Sequence, residues 1–588
     1  MTLKGGAPVL LFIAIIMVGC NNTTENLSTA TAAADSAFKK ISTEFLNGYL
    51  AWRPQTAVSL GLHQYDGKLA DYSQSSINNE LTRLKYFDEQ LNSLDTAAFS
   101  PKIFYDYRIL LLAIQGEIFR IEELEVFTKN PIVYASAIEV SNYIIRNFAP
   151  IEDRIRSIIN IEQQTARIFA AARENLADSL AKPFIETAIQ VAGGSVAFLK
   201  ADLVIALKDV KNDTLMAAFA SANKIAIDEI NGFADYLKKV KLPRANNNYA
   251  IGTAKFKKML LGEDINLSPE EILQIGLKEL KKEQNAFNAA ARIIDPAKSP
   301  VDVYRETEEE HPTAETLISD ARKNLEAVRQ FLIDKKIISI PSEVRARVDE
   351  TPLFARAASS SSTEIPGPFE KNSTEAWYYI TPVDTAWNDQ QKEDWLAQFN
   401  FYTTDIVTLH ETYPGHYVQF LHLNTSNATN IEKIFSSYAF VEGWAHYSEQ
   451  MAIDEGYGDN GDSVQAAKYR IAQSGDALLR LCRLCISIKI HCQDMNLDEA
   501  TKFFMDNCYQ GDKLSRGEAT RGTFDPEYLF YTLGKLQILK LREDYKKQEG
   551  DKYSLQKFNN AMVDNGMPPI RLLRERLLKD KSIWDDIL

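Results

Sequence analysis

A mainly α-helical protein with a few short strands is the fold this sequence predicts, and three observations predict it. Apolar residues recur at steps of three and four: Leu81, Leu84, Phe87, Leu91 and Leu94 form one such stripe, and similar ones run through 101–127, 150–175 and 212–240. Helix starts are spelled out, as in Ser268-Pro269-Glu270-Glu271, with Ser as N-cap, Pro in the first turn and Glu at the reciprocal position. Strand-like runs are few, Trp377-Tyr378-Tyr379-Ile380-Thr381 before Pro382 being the clearest. No fixed-period repeat argues for a solenoid.

Met1 to Gly19 carries one lysine, an apolar run from Pro8 through Val18, and small residues before Cys20. A basic start, a short apolar core and Val18-Gly19-Cys20 make a bacterial lipoprotein signal, too short to span a bilayer. Cleavage before Cys20, a lipid on that cysteine and a place in the cell envelope, at the outer membrane, are expected. An ordinary secreted protein with a chance cysteine is the alternative. Residues 20–34, rich in Asn, Thr and Ala, read as a tether.

The 588 residues suffice for more than one domain, and 45% of them are hydrophobic, as in globular proteins. The formal charge is −14 and becomes one unit more negative once residues 1–19, which carry only Lys4, are removed. Such an acidic surface excludes nucleic acid as the expected partner. Residues 35–245 read as an amino-terminal helical region. Pro243, the asparagines at 246–248 and Gly252 mark its boundary, and 246–588 form a second helical region that carries the chemistry. Within it, Ala358-Ser359-Ser360-Ser361-Ser362 reads as an exposed loop. The aromatic strand after that loop is either an edge that pairs with a substrate backbone or a core strand.

Of seven histidines, five (His410, His416, His422, His446 and His491) fall in one stretch. Thr408-Leu409-His410-Glu411-Thr412-Tyr413-Pro414-Gly415-His416 is followed by Phe440-Val441-Glu442-Gly443-Trp444-Ala445-His446. Two imidazoles and a carboxylate are the ligand set of a hydrolytic zinc site that keeps one position open for water. Glu411, beside the first imidazole, has the place of a general base. In the usual H-E-x-x-H pattern both histidines share a helical face; here they are six apart, about 120° and 9 Å from one another on an unbroken helix. Pro414, which lacks the N–H that would bond the His410 carbonyl, and Gly415, which adopts φ values closed to other residues, let the helix break and return His416. A helix that stops at Pro414, with ordinary polar histidines on either side, is the alternative. Glu442 and His446 lie one turn apart, so spacing leaves the third ligand open between them.

Cys482 and Cys485 form a C-x-x-C, with Cys492 and Cys508 nearby. The run Leu478 to Ile488 is an amphipathic helix in which small apolar thiols pack, so buried thiols are expected rather than a second metal site or a disulfide.

At His410–His416, Glu442-Gly443-Trp444, Ile490-His491 before Leu497-Asp498-Glu499-Ala500, and Tyr531-Thr532-Leu533-Gly534, the sequence resembles the bacterial family called domain of unknown function 885. Members of that family are similar to helical zinc peptidases of the gluzincin kind. The resemblance implies a multi-helical, metallopeptidase-like fold around a deep cleft, one zinc ion on His410, His416 and Glu442, Glu411 as base and a peptide substrate. It favours Glu442 over His446, which would then support it. Helical gluzincins often use a Tyr or His to bind the oxyanion, which brings forward Tyr531, His491 and Tyr528. Arg480, Arg483 and Arg521 are candidates for a peptide's terminal carboxylate. A helical lipoprotein that binds peptides or glycans without cutting them is the rival reading, and it leaves Glu411 beside His410 unexplained.

Overall fold

The computed structural model describes residues 21–352, 356 and 361–588, with backbone alone for 21–29. The signal at 1–19 and Cys20 lie outside the described residues. Helix α1 (Asn21–Trp52) begins inside the stretch that composition assigned to a tether, where neither Gly nor Pro stands to stop it. Helices α2 (Gln74–Asn92) and α3 (Pro101–Ile118) pack on α1. The predicted stripe turns inward: Leu84, Phe87 and Leu91 are buried against Phe45 and Leu110. Burial is worth roughly 1.5–3 kcal/mol for each such side chain. A second core, drawn mostly from residues 134–237 with Val58 and Leu69, includes Phe169 stacked against Phe233 at 4.7 Å.

Residues 242–252 form a connecting segment, with Gly252 at φ 82, and a helix resumes at Thr253–Gly262. The two regions share cores across it. Ile431 and Leu572 enter the core of α1 to α3, and Arg108 of α3 reaches Asp264 and Glu575, each at 2.7 Å. Beyond the junction come α4 (Pro269–Ile294), α5 (Leu317–Asp334), α6 (Phe401–Glu411), α7 (His416–Thr425), α8 (Tyr438–Asp454), α9 (Ser463–Cys492) and α10 (Phe530–Glu549). The Ser268 capping box is present: Glu271 N–H donates to Ser268 Oγ at 3.2 Å, and Ser268 N–H to the Glu271 carboxylate at 2.8 Å. The long helix α9 runs through the middle, flanked by α4, α6, α8 and α10. Its Cys482 and Cys485 are buried, as is Cys508; Cys492 is half-buried, and all four are free thiols.

Among the described residues there is one sheet, ordered β1 (Ala346–Glu350), β3 (Ala376–Ile380), β2 (Ser361–Glu364). Strand β3 pairs parallel with β1 and antiparallel with β2. The aromatic strand is therefore central, which decides between the two readings for the core strand and against the substrate-pairing edge: both of its hydrogen-bonding edges are taken, and its alternation buries Ala376, Tyr378 and Ile380.

Helices α8 and α10 cross with their backbones in contact. A Cβ on Gly534 would lie 1.8 Å from Ala439 O, and one on Gly443 would meet Gly534 at 2.6–2.7 Å. The glycines of the E-G-W and Y-T-L-G segments thus face one another. Gly534→Val should lower stability by about 3 kcal/mol or more, because backbone rather than a movable side chain stands in the way. Urea denaturation measures it, and an unchanged midpoint would show that the helices part at no cost.

Candidate metal centre

Helix α6 starts at the Asn400 cap, whose Oδ1 accepts from Thr403 N–H at 2.9 Å, and it delivers His410 and Glu411 in its last turn. Pro414 has no N–H to continue it. Thr412 leaves helical geometry (φ −122, ψ −79), the Tyr413–Pro414 peptide is cis, and α7 begins at His416. The expected interruption between the histidines is present, but the reason for glycine differs. Gly415 has an ordinary φ of −65; a Cβ there would sit 1.7 Å from the His410 carbonyl oxygen. It is the close approach to this carbonyl, not a positive φ, that demands glycine. The indole Nε1–H of Trp444 donates to Pro414 O at 2.9 Å and holds the turn from α8.

Helix α8 is fixed at its own start. Phe440 N–H donates to Ser437 Oγ at 3.0 Å, Tyr438 N–H to Glu263 at 2.9 Å, and the Ser437 hydroxyl to the same carboxylate. Steps of four and three then set Glu442, His446 and Glu449 along one face.

Glu442 Oε2 stands 3.6 Å from His410 Nε2 and 3.5 Å from His416 Nε2, and the three donor atoms lie within 4.8 Å of one another. Two tetrahedral bonds to zinc of about 2.0–2.1 Å separate their donors by about 3.4 Å. A direct charged hydrogen bond would draw them to about 2.8 Å. The trio keeps the wider spacing, and Glu442 Oε2 is buried with no hydrogen-bond partner. An orphaned carboxylate oxygen between two imidazole nitrogens fits a divalent cation.

Behind the trio, His410 Nδ1–H donates to Glu449 Oε1 at 2.6 Å, leaving Nε2 free toward Glu442. The other Glu449 oxygen accepts from His446 Nδ1–H at 2.9 Å, and Arg480 lies 3.3 Å from the first. His446 Nε2 is 3.4 Å from Lys535 Nζ. Geometry now separates the two candidates left open by spacing: Glu442 joins the trio, and His446 stands one layer behind it.

Burial alone would push the Glu442 carboxyl up, but the imidazoles of His410 and His416 outweigh it and hold it well below the usual range. Burial likewise pulls His410 down, yet Glu442 and Glu449 lift it to about 9. His446 falls to about 3 through burial and the Lys535 charge. Glu449 is held well below its usual range, burial notwithstanding, by Arg480 and the two histidines.

Glu411 is half-buried at the end of α6; burial and then the Glu411 charge push the phenol of Tyr378 up. The Tyr531 ring is surrounded by the guanidiniums of Arg480, Arg483 and Arg521 at 5.8, 5.3 and 6.0 Å, and lies 5.7 Å from the Tyr438 ring. Arg480 thereby touches both Tyr531 and Glu449. His491 is corrected: it is buried, its Nε2–H donating to Gly522 O at 2.8 Å and its Nδ1 accepting from Ile251 N–H at 3.3 Å, so both nitrogens brace backbone. Tyr528 is buried with its phenol against Gly522, a core residue. The arginines proposed for a terminal carboxylate already hold carboxylates: Arg480 has Glu449, Arg483 grips Glu518 at 2.7 and 2.8 Å, and Arg521 has Asp525 at 2.8 Å. Sequence reasoning missed Glu449 and Lys535. For Glu449 the signal was its register, three residues past His446 and seven past Glu442.

The family model described as bacterial protein of unknown function (DUF885) matches residues 54–577. The fold is similar to a predicted lipoprotein of unknown function from Shewanella oneidensis, with TM-score 0.75 and 23% identity over 92% of this chain and 100% of that one. It is also similar to a predicted lipoprotein from Colwellia psychrerythraea, with TM-score 0.74 and 17% identity over 95% and 99%. No curated protein matches the sequence.

Two expectations follow from the Glu449 layer. Glu449→Gln should weaken zinc binding about 10–100-fold, since the carboxylate that orients His410 is gone; competition against a chromophoric chelator reads it, and unchanged affinity would remove Glu449 from this role. With His410 lifted to about 9 in the metal-free protein, protons and the ion compete for it. Zinc affinity in the same assay should therefore rise from pH 6.5 to 9.

Proposed function

Because the chain belongs to the bacterial family of unknown function DUF885, we propose its activity from the site itself: a zinc-dependent hydrolase that cuts peptides, with Glu411 as general base. The observation that carries this reading is the orphaned Glu442 Oε2 at 3.5 and 3.6 Å from two imidazole nitrogens, with Glu411 adjoining the first of them. Two histidines and a carboxylate suit zinc. A divalent ion held by His410, His416 and Glu442 supplies Lewis acidity to a scissile carbonyl and lowers the pKa of water.

The chain's own groups do the rest. Glu411 accepts the proton of the attacking water and passes it to the leaving amine. The Tyr531 hydroxyl donates to the developing oxyanion, and the three guanidiniums around its ring favour negative charge there. Glu449 keeps the His410 ring from turning, so the ligand geometry is set before substrate arrives. The Val18-Gly19-Cys20 signal and the two lipoprotein relatives support a lipid-anchored place in the bacterial cell envelope, with the outer membrane as the specific proposal.

A broad peptide mixture incubated with the mature protein, with and without chelator, tests the activity. Glu411→Gln keeps shape and ligands but removes the proton acceptor, so cleavage should fall about 10²–10⁴-fold while zinc and peptide stay bound. No cleavage by wild type, or equal cleavage by the variant, would leave a binding lipoprotein as the better reading.

A further inference from the structure

The two imidazoles of the trio are not held alike. Glu449 pins His410 through its Nδ1–H, whereas the Nδ1 of His416 is buried and, among the described residues, has no hydrogen-bond partner. A histidine that offers one nitrogen to a metal normally donates its other ring N–H to an oxygen, which fixes the tautomer and the angle of the ring. For His416 that oxygen has to come from its own surroundings.

Gln419 carries one. Its side chain is 1% exposed, and both polar atoms of its amide, Oε1 and Nε2, are buried without a partner. Leucine or methionine would fill the same volume and bury no polar group. The other buried polar rings of α7 have partners: the Tyr417 hydroxyl donates to Val344 O at 2.6 Å, and His422 reaches Asp564 and Ser339 O at 2.7 and 2.8 Å. His416 and Gln419 are left, one with an unused ring N–H and the other with an unused carbonyl oxygen.

They are also neighbours. Gln419 follows His416 by three residues on α7, and Gln419 N–H donates to Gly415 O at 3.0 Å, which fixes the register of that turn. Residues three apart share a helical face, and a helical side chain leans back over the turn that precedes it, so Gln419 leans toward His416.

We propose that Gln419 is the positioning residue of His416: its amide oxygen accepts the Nδ1–H and fixes the ring with Nε2 toward Glu442. The two are not bonded in the structure; rotation of the Gln419 side chain about its own bonds, with α7 unmoved, brings them together. The trio then has unlike supports, a carboxylate behind His410 and a neutral amide behind His416. The proposal rests on the metal centre of the hydrolase reading and on no step of cleavage.

Zinc affinity of the mature protein, read by competition against a chromophoric chelator, tests it. Gln419→Leu keeps the volume and removes the acceptor, so affinity should fall about 10–100-fold, as the loss of an outer partner does. Gln419→Met, unbranched like glutamine, should fall likewise, and it stands in if the leucine variant does not fold. Gln419→Glu keeps an acceptor oxygen at the same reach and should bind zinc at least as tightly as wild type. A role in packing alone predicts the reverse order, because an apolar side chain suits a core and a carboxylate does not. Leucine and methionine variants as tight as wild type, or a glutamate variant weaker than both, overturn the proposal. Wild type that binds no zinc overturns it together with the metal centre, whereas zinc binding without peptide cleavage removes the hydrolase alone.

Discussion

The carboxylate of Glu449 has no contact with solvent, and its need for internal partners ties the surrounding helices together. His410 answers it from α6, His446 from its own helix, and Arg480 from α9, while Lys535 of α10 closes the far side of His446. Removing one partner of a buried charge costs about 3–5 kcal/mol, so the four helices are held in one relation. The same bonds decide which nitrogen of His410 faces Glu442. Stability and ligand orientation are here a single arrangement.

In front of that layer the two imidazoles of the trio are placed by backbone rather than by side-chain packing. The turn at Thr412–Gly415 presses Gly415 against the His410 carbonyl, and Trp444 holds Pro414 from the next helix. Glu442 precedes that tryptophan by two residues. One short segment of α8 therefore contributes the carboxylate of the trio and also clamps the turn that positions the two imidazoles.

Much of this was legible in the sequence where the physics is local. The Leu84, Phe87 and Leu91 stripe and the Ser268 cap are short-range patterns, and both stand in the structure. His410 and His416 were legible as a pair because the breaker residues make sense only if the helix is interrupted, whereas spacing left Glu442 and His446 level and only the family resemblance favoured Glu442. What failed was non-local. Whether β3 lies at an edge depends on β1 and β2, which precede it by up to thirty residues. His491 looked chemical by residue type, but its partners, Gly522 and Ile251, come from segments far away in sequence. Glu449 resembled any acidic residue on a polar helix until α6 and α9 were seen to converge on it.

The glycine contact between α8 and α10 has a bearing on how such a centre tolerates change over generations. Where two helices meet through side chains, each substitution resets the distance between them. Gly443 and Gly534 leave no side chain to vary at the crossing, so main-chain atoms serve as the spacer between the helix of Glu442 and the helix of Tyr531. Exposed positions elsewhere on both helices can then change in size without moving Glu442 relative to the phenol.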